Sequence, residues 1–269
     1  MKHYKRAFTI AGSDPSGGAG IQADLKTFSA CGCFGMSAIV AVVDENTVGV
    51  TGVHPVPVDF VTGQIRSVLD DIGADAVKIG MLHSSELIRA VKKTLSAYDI
   101  KNIVLDPVMV ATSGDKLLQD EAIETLKNEL LPFARVITPN LPEAEVLLGR
   151  RINGQHDFPL VIRELSTNRA VSVVLKAGHL KEEKLTDVFY NAETDEIIEL
   201  TSERINTRNT HGTGCTFSSA IAAFLAHDVP LNDAVCRAKE FMKSAIAAGA
   251  GYEIGKGHGP VHHFFKFWE

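Results

Sequence analysis

Apolar positions along the chain follow two alternating patterns. Nearly continuous apolar runs of strand length lie at residues 7–11, 37–43, 76–79, 103–105, 136–138 and 171–175. Between them, segments with apolar residues three and four apart occupy 21–30, 60–69, 86–98, 121–131 and 142–148. Short apolar strands without polar alternation, separated by amphipathic helices, predict a parallel sheet covered on both faces. Beyond residue 175 the pattern changes. Residues 185–190 and 197–200 flank Asn191-Ala192-Glu193-Thr194-Asp195 and read as an antiparallel hairpin, and two long helices follow at 215–226 and 233–248. The stretch 153–168 is patterned most weakly, because Pro159 interrupts any helix it contains. No repeat or linker breaks the alternation, so residues 1–269 are expected to form one α/β domain.

In an open parallel sheet, ligands sit beyond the carboxyl ends of the strands. The six expected ends carry Gly12-Ser13-Asp14, Asp44-Glu45-Asn46, Gly80-Met81, Asp106-Pro107, Pro139-Asn140 and Lys176-Ala177-Gly178. Carboxylates at three ends and a lysine at a fourth suit a metal-nucleotide better than an apolar ligand. Asn140 and Glu143 stand where a strand gives way to a helix, and with Asp106 they can hold a hydrated Mg²⁺. Equally, Asn140 can cap that helix while Glu143 complements its dipole.

The densest chemistry is at Asn209-Thr210-His211-Gly212-Thr213-Gly214-Cys215-Thr216, directly before the apolar run 217–225. Two glycines let successive N–H groups converge on an anion, and the helix dipole adds to the field. In that field the Cys215 thiol is expected to have a lowered pKa and to serve as a base or nucleophile. The alternative is a Gly-marked turn before a core helix, with a small buried Cys. Gly18-Ala19-Gly20-Ile21-Gln22-Ala23 matches the dinucleotide pattern G-x-G-x-x-A, with Asp44 and Glu45 about 20 residues on. Residues 12–17 separate it from the preceding strand, however, which makes a ligand-wrapping loop rather than a tight turn. Asp24, one turn into the following helix, either points back at that ligand or complements the dipole. No Walker motif occurs.

Composition narrows the classes. With 269 residues and 45% hydrophobic content the chain can bury a sizeable core, and a net charge of −6 leaves no basic surplus for nucleic acid. The basic start, Met1 to Arg6, precedes an apolar run too short for a signal peptide, and nothing approaches a membrane span. Four cysteines in a chain this long are no disulfide framework, so a cytoplasmic protein with reduced thiols is expected. Cys31 with Cys33 and His262 with His263 fall short of four zinc ligands and read as structural.

The ordered motifs Thr9 to Thr27, Asn46-Thr47-Val48-Gly49-Val50, Lys78-Ile79-Gly80-Met81-Leu82, Asp106-Pro107-Val108-Met109, Thr138 to Ala144, the octapeptide and Gly257 to Phe264 span essentially the whole chain. Together they resemble the hydroxymethylpyrimidine/phosphomethylpyrimidine kinases of thiamine biosynthesis, within the ribokinase-like superfamily. The resemblance implies a three-layer αβα sandwich with a mostly parallel central sheet. It also implies ATP-dependent phosphorylation of 4-amino-5-hydroxymethyl-2-methylpyrimidine and then of its monophosphate, with Mg²⁺, in a homodimer. Gly12, Asp24, Glu45, Met81 and Val108 fall on substrate-binding positions. Lys176, Thr213 and Asn140 fall near the nucleotide, Asp106 and Glu143 near the metal, and Gly212, Thr213, Gly214 and Cys215 on the catalytic segment. Glu45 departs from the family, which usually carries Gln before Asn-Thr; a carboxylate only accepts hydrogen bonds where Gln also donates. Pyridoxal kinases of the same fold are the nearest alternative, and a nicotinamide oxidoreductase or a catalytically dead binding protein are the alternatives from other classes.

Overall fold

The computed structural model describes residues 2–109, 118, 120–166, 170–180 and 182–268. The chain begins β1 (Arg6–Ala11), α1 (Gly20–Ala30), β2 (Phe34–Ile39), β3 (Ala41–Asn46), β4 (Gly49–Pro55) and α2 (Val58–Asp71). It continues β5 (Ala76–Ile79), α3 (Ser85–Leu95), β6 (Ile103–Leu105), α4 (Asp120–Thr125), β7 (Val136–Ile137), α5 (Leu141–Leu148) and α6 (Phe158–Leu165). It closes with β8 (Ser172–Leu175), β9 (Lys184–Asn191), β10 (Glu196–Glu203), α7 (Thr213–Ala226) and α8 (Leu231–Gly249).

One sheet holds eight strands in the order β10-β9-β8-β7-β6-β5-β1-β2. The strands from β2 to β8 run parallel, and β9 and β10 add the expected antiparallel hairpin at one edge. Side-chain alternation divides the core between the two faces. Phe8, Ile10, Val77, Ile79, Ile103, Leu105, Val173 and Leu175 pack against α2, α3 and α6, while Ala7, Ala76, Val104, Val136 and Val174 pack against α7 and α8. Nearly all are fully buried, which is why the strands read as continuous apolar runs. The result is the three-layer αβα arrangement the sequence implied, and among the described residues no helix is long and apolar enough to cross a membrane.

Three expectations change. The apolar run at 37–43 is two strands, not one: β2 ends at Ile39, and after Val40 the chain leaves the sheet as β3, pairing with β4 in a separate two-stranded ribbon. The acids at 44–46 therefore ride on this ribbon instead of ending a sheet strand, and the register shifts between Asp44 and Glu45. Pro159 starts α6 rather than interrupting it, because a first-turn position needs no N–H; residues 167 and 168 of that stretch lie outside the described residues. The helix expected at 121–131 tightens and loosens instead of running on: after α4 come a π-turn at Leu126–Leu130 and a 3₁₀ turn at Leu131–Phe133, where Pro132 cannot donate.

Candidate active site

The carboxyl ends of the parallel strands and the loops beyond them enclose a cleft of about 830 Å³. Every residue expected at the site lines it except Asp24. At one end Gly12, Met81 and Val43 converge at the foot of the ribbon: a Cβ on Gly12 would lie 2.8 Å from Met81 Cε and 3.8 Å from Val43 Cγ2. Val108 and Glu45 complete this half-apolar end.

At the other end stands the start of α7. Gly212 has φ 75°, a left-handed conformation, and a Cβ there would overlap the Gly18 carbonyl. Gly214 needs glycine for a different reason. Its φ is ordinary, but a Cβ would sit 3.3 Å from Asp106 Oδ2 and 3.4 Å from Lys176 Nζ, filling the space in front of both. The start of α7 thus faces the cleft beside an ammonium, the arrangement that binds phosphate, although the Thr213 N–H already donates to Thr210 O at 3.3 Å.

Lys176 and Asp106 form a 3.0 Å ion pair, and Asp106 also accepts from Thr138 Oγ1 at 2.9 Å and from Ser218 Oγ at 3.4 Å. Burial works against both charges, but each holds the other ionised: Asp106 lies below the usual carboxylate range and Lys176 above the usual lysine range. Asn140 and Glu143 make a reciprocal capping box at α5, Glu143 N donating to Asn140 Oδ1 at 2.9 Å and Asn140 N to Glu143 Oε2 at 2.8 Å. The side chain of Asn140 is therefore engaged in the helix cap. Burial, reinforced by the nearby Asp106 carboxylate and opposed by Lys176, pushes Glu143 up to about 7. Two buried carboxylates with too little positive charge around them are a hard-oxygen pair of the kind Mg²⁺ takes, so the residues fit that ion.

Cys215 departs from expectation. Its thiol is pushed up to about 11, not down, because burial outweighs the field and the carboxylates of Asp24 and Asp106 add to it. Lys78 and the Gly20 N–H, which donates to the sulfur, oppose this without reversing it.

Asp24 is the second correction. Fully buried behind the cleft, it accepts from Thr9 Oγ1 at 2.6 Å, from Ser219 Oγ at 2.7 Å, and from Lys78 Nζ at 2.9 Å to each oxygen. Thr9 and Lys78 face the same side of neighbouring strands, so the carboxylate joins β1, β5, α1 and α7 and has nothing left to offer a ligand. The acid that does reach the cleft in its place is Asp14. Its Oδ2 accepts from the N–H groups of Gly18 at 3.0 Å and Ala19 at 2.7 Å, and it lies 2.8 Å from His211 Nε2. These contacts outweigh burial and hold Asp14 well below the usual carboxylate range. Glu45 Oε1 is 3.9 Å from the same His211 nitrogen.

Sequence reasoning counted Asp14 only as one of the strand-end acids and gave no role to His211 or Lys78, although all three sit inside the motifs it used. It predicted α8 as a helix but not that this helix lines the cleft with Lys239, Met242, Lys243 and Ile246. Their spacing of three and four marks one helical face, but a mixed lysine and apolar face looks like any amphipathic helix.

The sequence pattern of the phosphomethylpyrimidine kinase family matches residues 14–262, which takes in both ends of the cleft. The chain belongs to this family. It is 49% identical to the hydroxymethylpyrimidine/phosphomethylpyrimidine kinase of Rhizobium meliloti over 98% of both chains, and 46% identical to that of Escherichia coli over 97% of this chain and 98% of the other. Among solved structures, an ADP complex of Bacillus subtilis pyridoxal kinase superposes with a TM-score of 0.88 at 40% identity, covering 98% of this chain and 100% of that one. The phosphomethylpyrimidine kinase fold is therefore shared with a pyridoxal kinase, an enzyme named for a different ring.

Proposed function

We propose that this protein transfers the γ-phosphoryl group of ATP to 4-amino-5-hydroxymethyl-2-methylpyrimidine, and then a second one to the resulting monophosphate, in thiamine biosynthesis. The observation that carries this reading is the single cleft in which the α7 start, Lys176, Asp106 and Glu143 face Gly12, Glu45, Met81 and Val108. The pyrimidine ring lies between Met81 and Val108 with its exocyclic amine toward Glu45, and the triphosphate lies against Gly212, Thr213 and Gly214 with Lys176 beside it. Asp106 and Glu143 would hold Mg²⁺, which when bound neutralises charge on the phosphates.

The two transfers ask different things of the protein. In the first, the hydroxymethyl oxygen bonds to the γ-phosphorus as the bond to the ADP oxygen breaks, and the hydroxyl proton must go to a base. Cys215 takes it as thiolate, a strong base at a pKa of about 11 but a scarce one at neutral pH. In the second, the attacking phosphate oxygen is already anionic and no base is needed. The obstacle there is repulsion between anions, which Lys176 and the N–H groups of α7 offset. We extend the reading to a cytoplasmic homodimer, which light scattering tests directly.

The deciding experiment is ATP consumption that depends on added hydroxymethylpyrimidine, repeated with the monophosphate and with pyridoxal. Both pyrimidines should be phosphorylated and pyridoxal used poorly. Consumption with pyridoxal alone would replace this reading with that of a pyridoxal kinase, which the likeness to the Bacillus subtilis structure makes the second reading. Glu45→Gln, which supplies the residue usual in the family, should retain or raise turnover of the pyrimidine. A large drop would mean that the carboxylate itself is required.

A further inference from the structure

Two motifs, Asn46-Thr47-Val48 and the stretch from Gly255 to Pro260, take no part in the chemistry above, yet the fold brings them into backbone contact. Thr47 is at the tip of the β3–β4 ribbon. His258 N donates to its carbonyl oxygen at 2.8 Å and Gly257 N to its hydroxyl at 3.2 Å. Nothing larger than glycine fits against that tip. A Cβ on Gly257 would overlap the Thr47 carbonyl, and one on Gly255, at φ +65°, would run into the Thr47 side chain.

The same segment is fixed at its other end to the irregular stretch that leads into α7. His211 N donates to Gly259 O at 3.0 Å, and a Cβ on Gly259 would overlap the buried Asn209 side chain. Asn209 Nδ2 in turn donates to the carbonyls of Gly249 and Tyr252, at 2.7 Å each. The ribbon has reason to need this. Two strands alone are marginally stable, this pair stands outside the main sheet, and its register shifts beside Glu45. Its foot is held by hydrogen bonds from Val40 N to Ala11 O and from Ser13 N to Ala41 O, and its tip by the C-terminal segment.

We propose that residues 255–259 are a latch that sets the height of the ribbon over the cleft, with Gly257 and Thr47 as positioning residues for the pyrimidine. The latch ties Glu45, two residues from Thr47, to the frame of His211, one residue from Gly212. Binding of the ring and binding of phosphate thereby share one rigid reference. This proposal rests on the pyrimidine lying at the Glu45 end.

The test uses Gly257→Ala, whose added methyl forces tip and segment apart, and Thr47→Ala, which removes the hydroxyl acceptor and the γ-methyl but leaves the carbonyl contact. In Gly257→Ala the KM for hydroxymethylpyrimidine should rise about tenfold while the KM for MgATP stays within about twofold. Amide exchange across residues 42–53 should quicken about tenfold, with α7 unchanged. Thr47→Ala should move both readouts the same way by a smaller factor, and it carries the test if Gly257→Ala does not fold. A pyrimidine KM unchanged despite faster exchange, or equal rises in both KM values, overturns the positioning role; unchanged exchange overturns the latch. Wild-type enzyme inactive on the pyrimidine would instead sink the substrate reading, and exchange would still decide the latch.

Discussion

At the scale of single residues, Cys215 shows how a correct motif can carry the wrong electrostatics. The glycines and the helix start argue for a lowered thiol pKa, but the sequence does not reveal that the carboxylates of Asp24 and Asp106 act on the sulfur, nor how much protein surrounds it although it is only half-buried. With the thiol pushed up to about 11, the base form grows with pH through the whole neutral range. The rate of the first transfer at limiting substrate should therefore climb steadily from pH 7 to 10, while the second, which needs no base, stays nearly flat. Cys215→Ala should cost the first transfer about a hundredfold and remove its slope, leaving the second within a few-fold. Equal losses in the two reactions, measured with the separate substrates, would remove Cys215 from the role of base.

At the scale of elements, what was legible is what a strand or helix shows through its own side chains. The parallel strands are buried on both faces and announce themselves as apolar runs; twelve of the thirteen expected site residues line one cleft, all but Asp24. The β3–β4 ribbon was not legible, because β4 (Gly49–Pro55) has no buried face and mixes glycine, valine and histidine. Nor was the hub around Asp24, since an acid one turn into a helix looks the same whether it meets solvent or a lysine 54 positions away. The start of α7 separates two uses of glycine that the motif alone merges. Gly212→Ala strains a left-handed residue and collides with the loop at Gly18, so it should lower the melting temperature by several degrees as well as abolish activity. Gly214→Ala has no backbone strain and should fold normally, but raise the KM for ATP about tenfold or more by crowding the space before Lys176 and Asp106. Isothermal titration of ADP beside thermal melts tells the two apart; if both variants lose only stability, the segment is a turn and not a phosphate site.

At the scale of the whole molecule, the buried charges form two neighbouring systems that both reach α7, one through Ser219 and the other through Ser218. Asp24 and Lys78 are paired with each other, Asp24 accepts from two hydroxyls besides, and together they knit the layers. Asp106 and Glu143 are two acids beside Lys176, with Lys78 adding its field at Asp106, and that imbalance reaches global stability through Glu143. Its folded pKa of about 7 exceeds the ordinary carboxyl value, so the folded protein holds a proton that the unfolded chain has lost above about pH 4.5. The stabilisation from that proton is full below the unfolded value and disappears as pH rises through 7, leaving an uncompensated carboxylate in alkaline solution. A divalent cation supplies the missing charge only where the proton is absent. Millimolar Mg²⁺ should therefore raise the melting temperature by a few degrees at pH 8 and hardly at all at pH 5.5. Glu143→Gln, which keeps the shape and abolishes the charge, should flatten the pH dependence and the Mg²⁺ shift together. A shift of equal size at both pH values, or one that survives in Glu143→Gln, would mean that the cation binds elsewhere and that Glu143 serves only as the cap of α5.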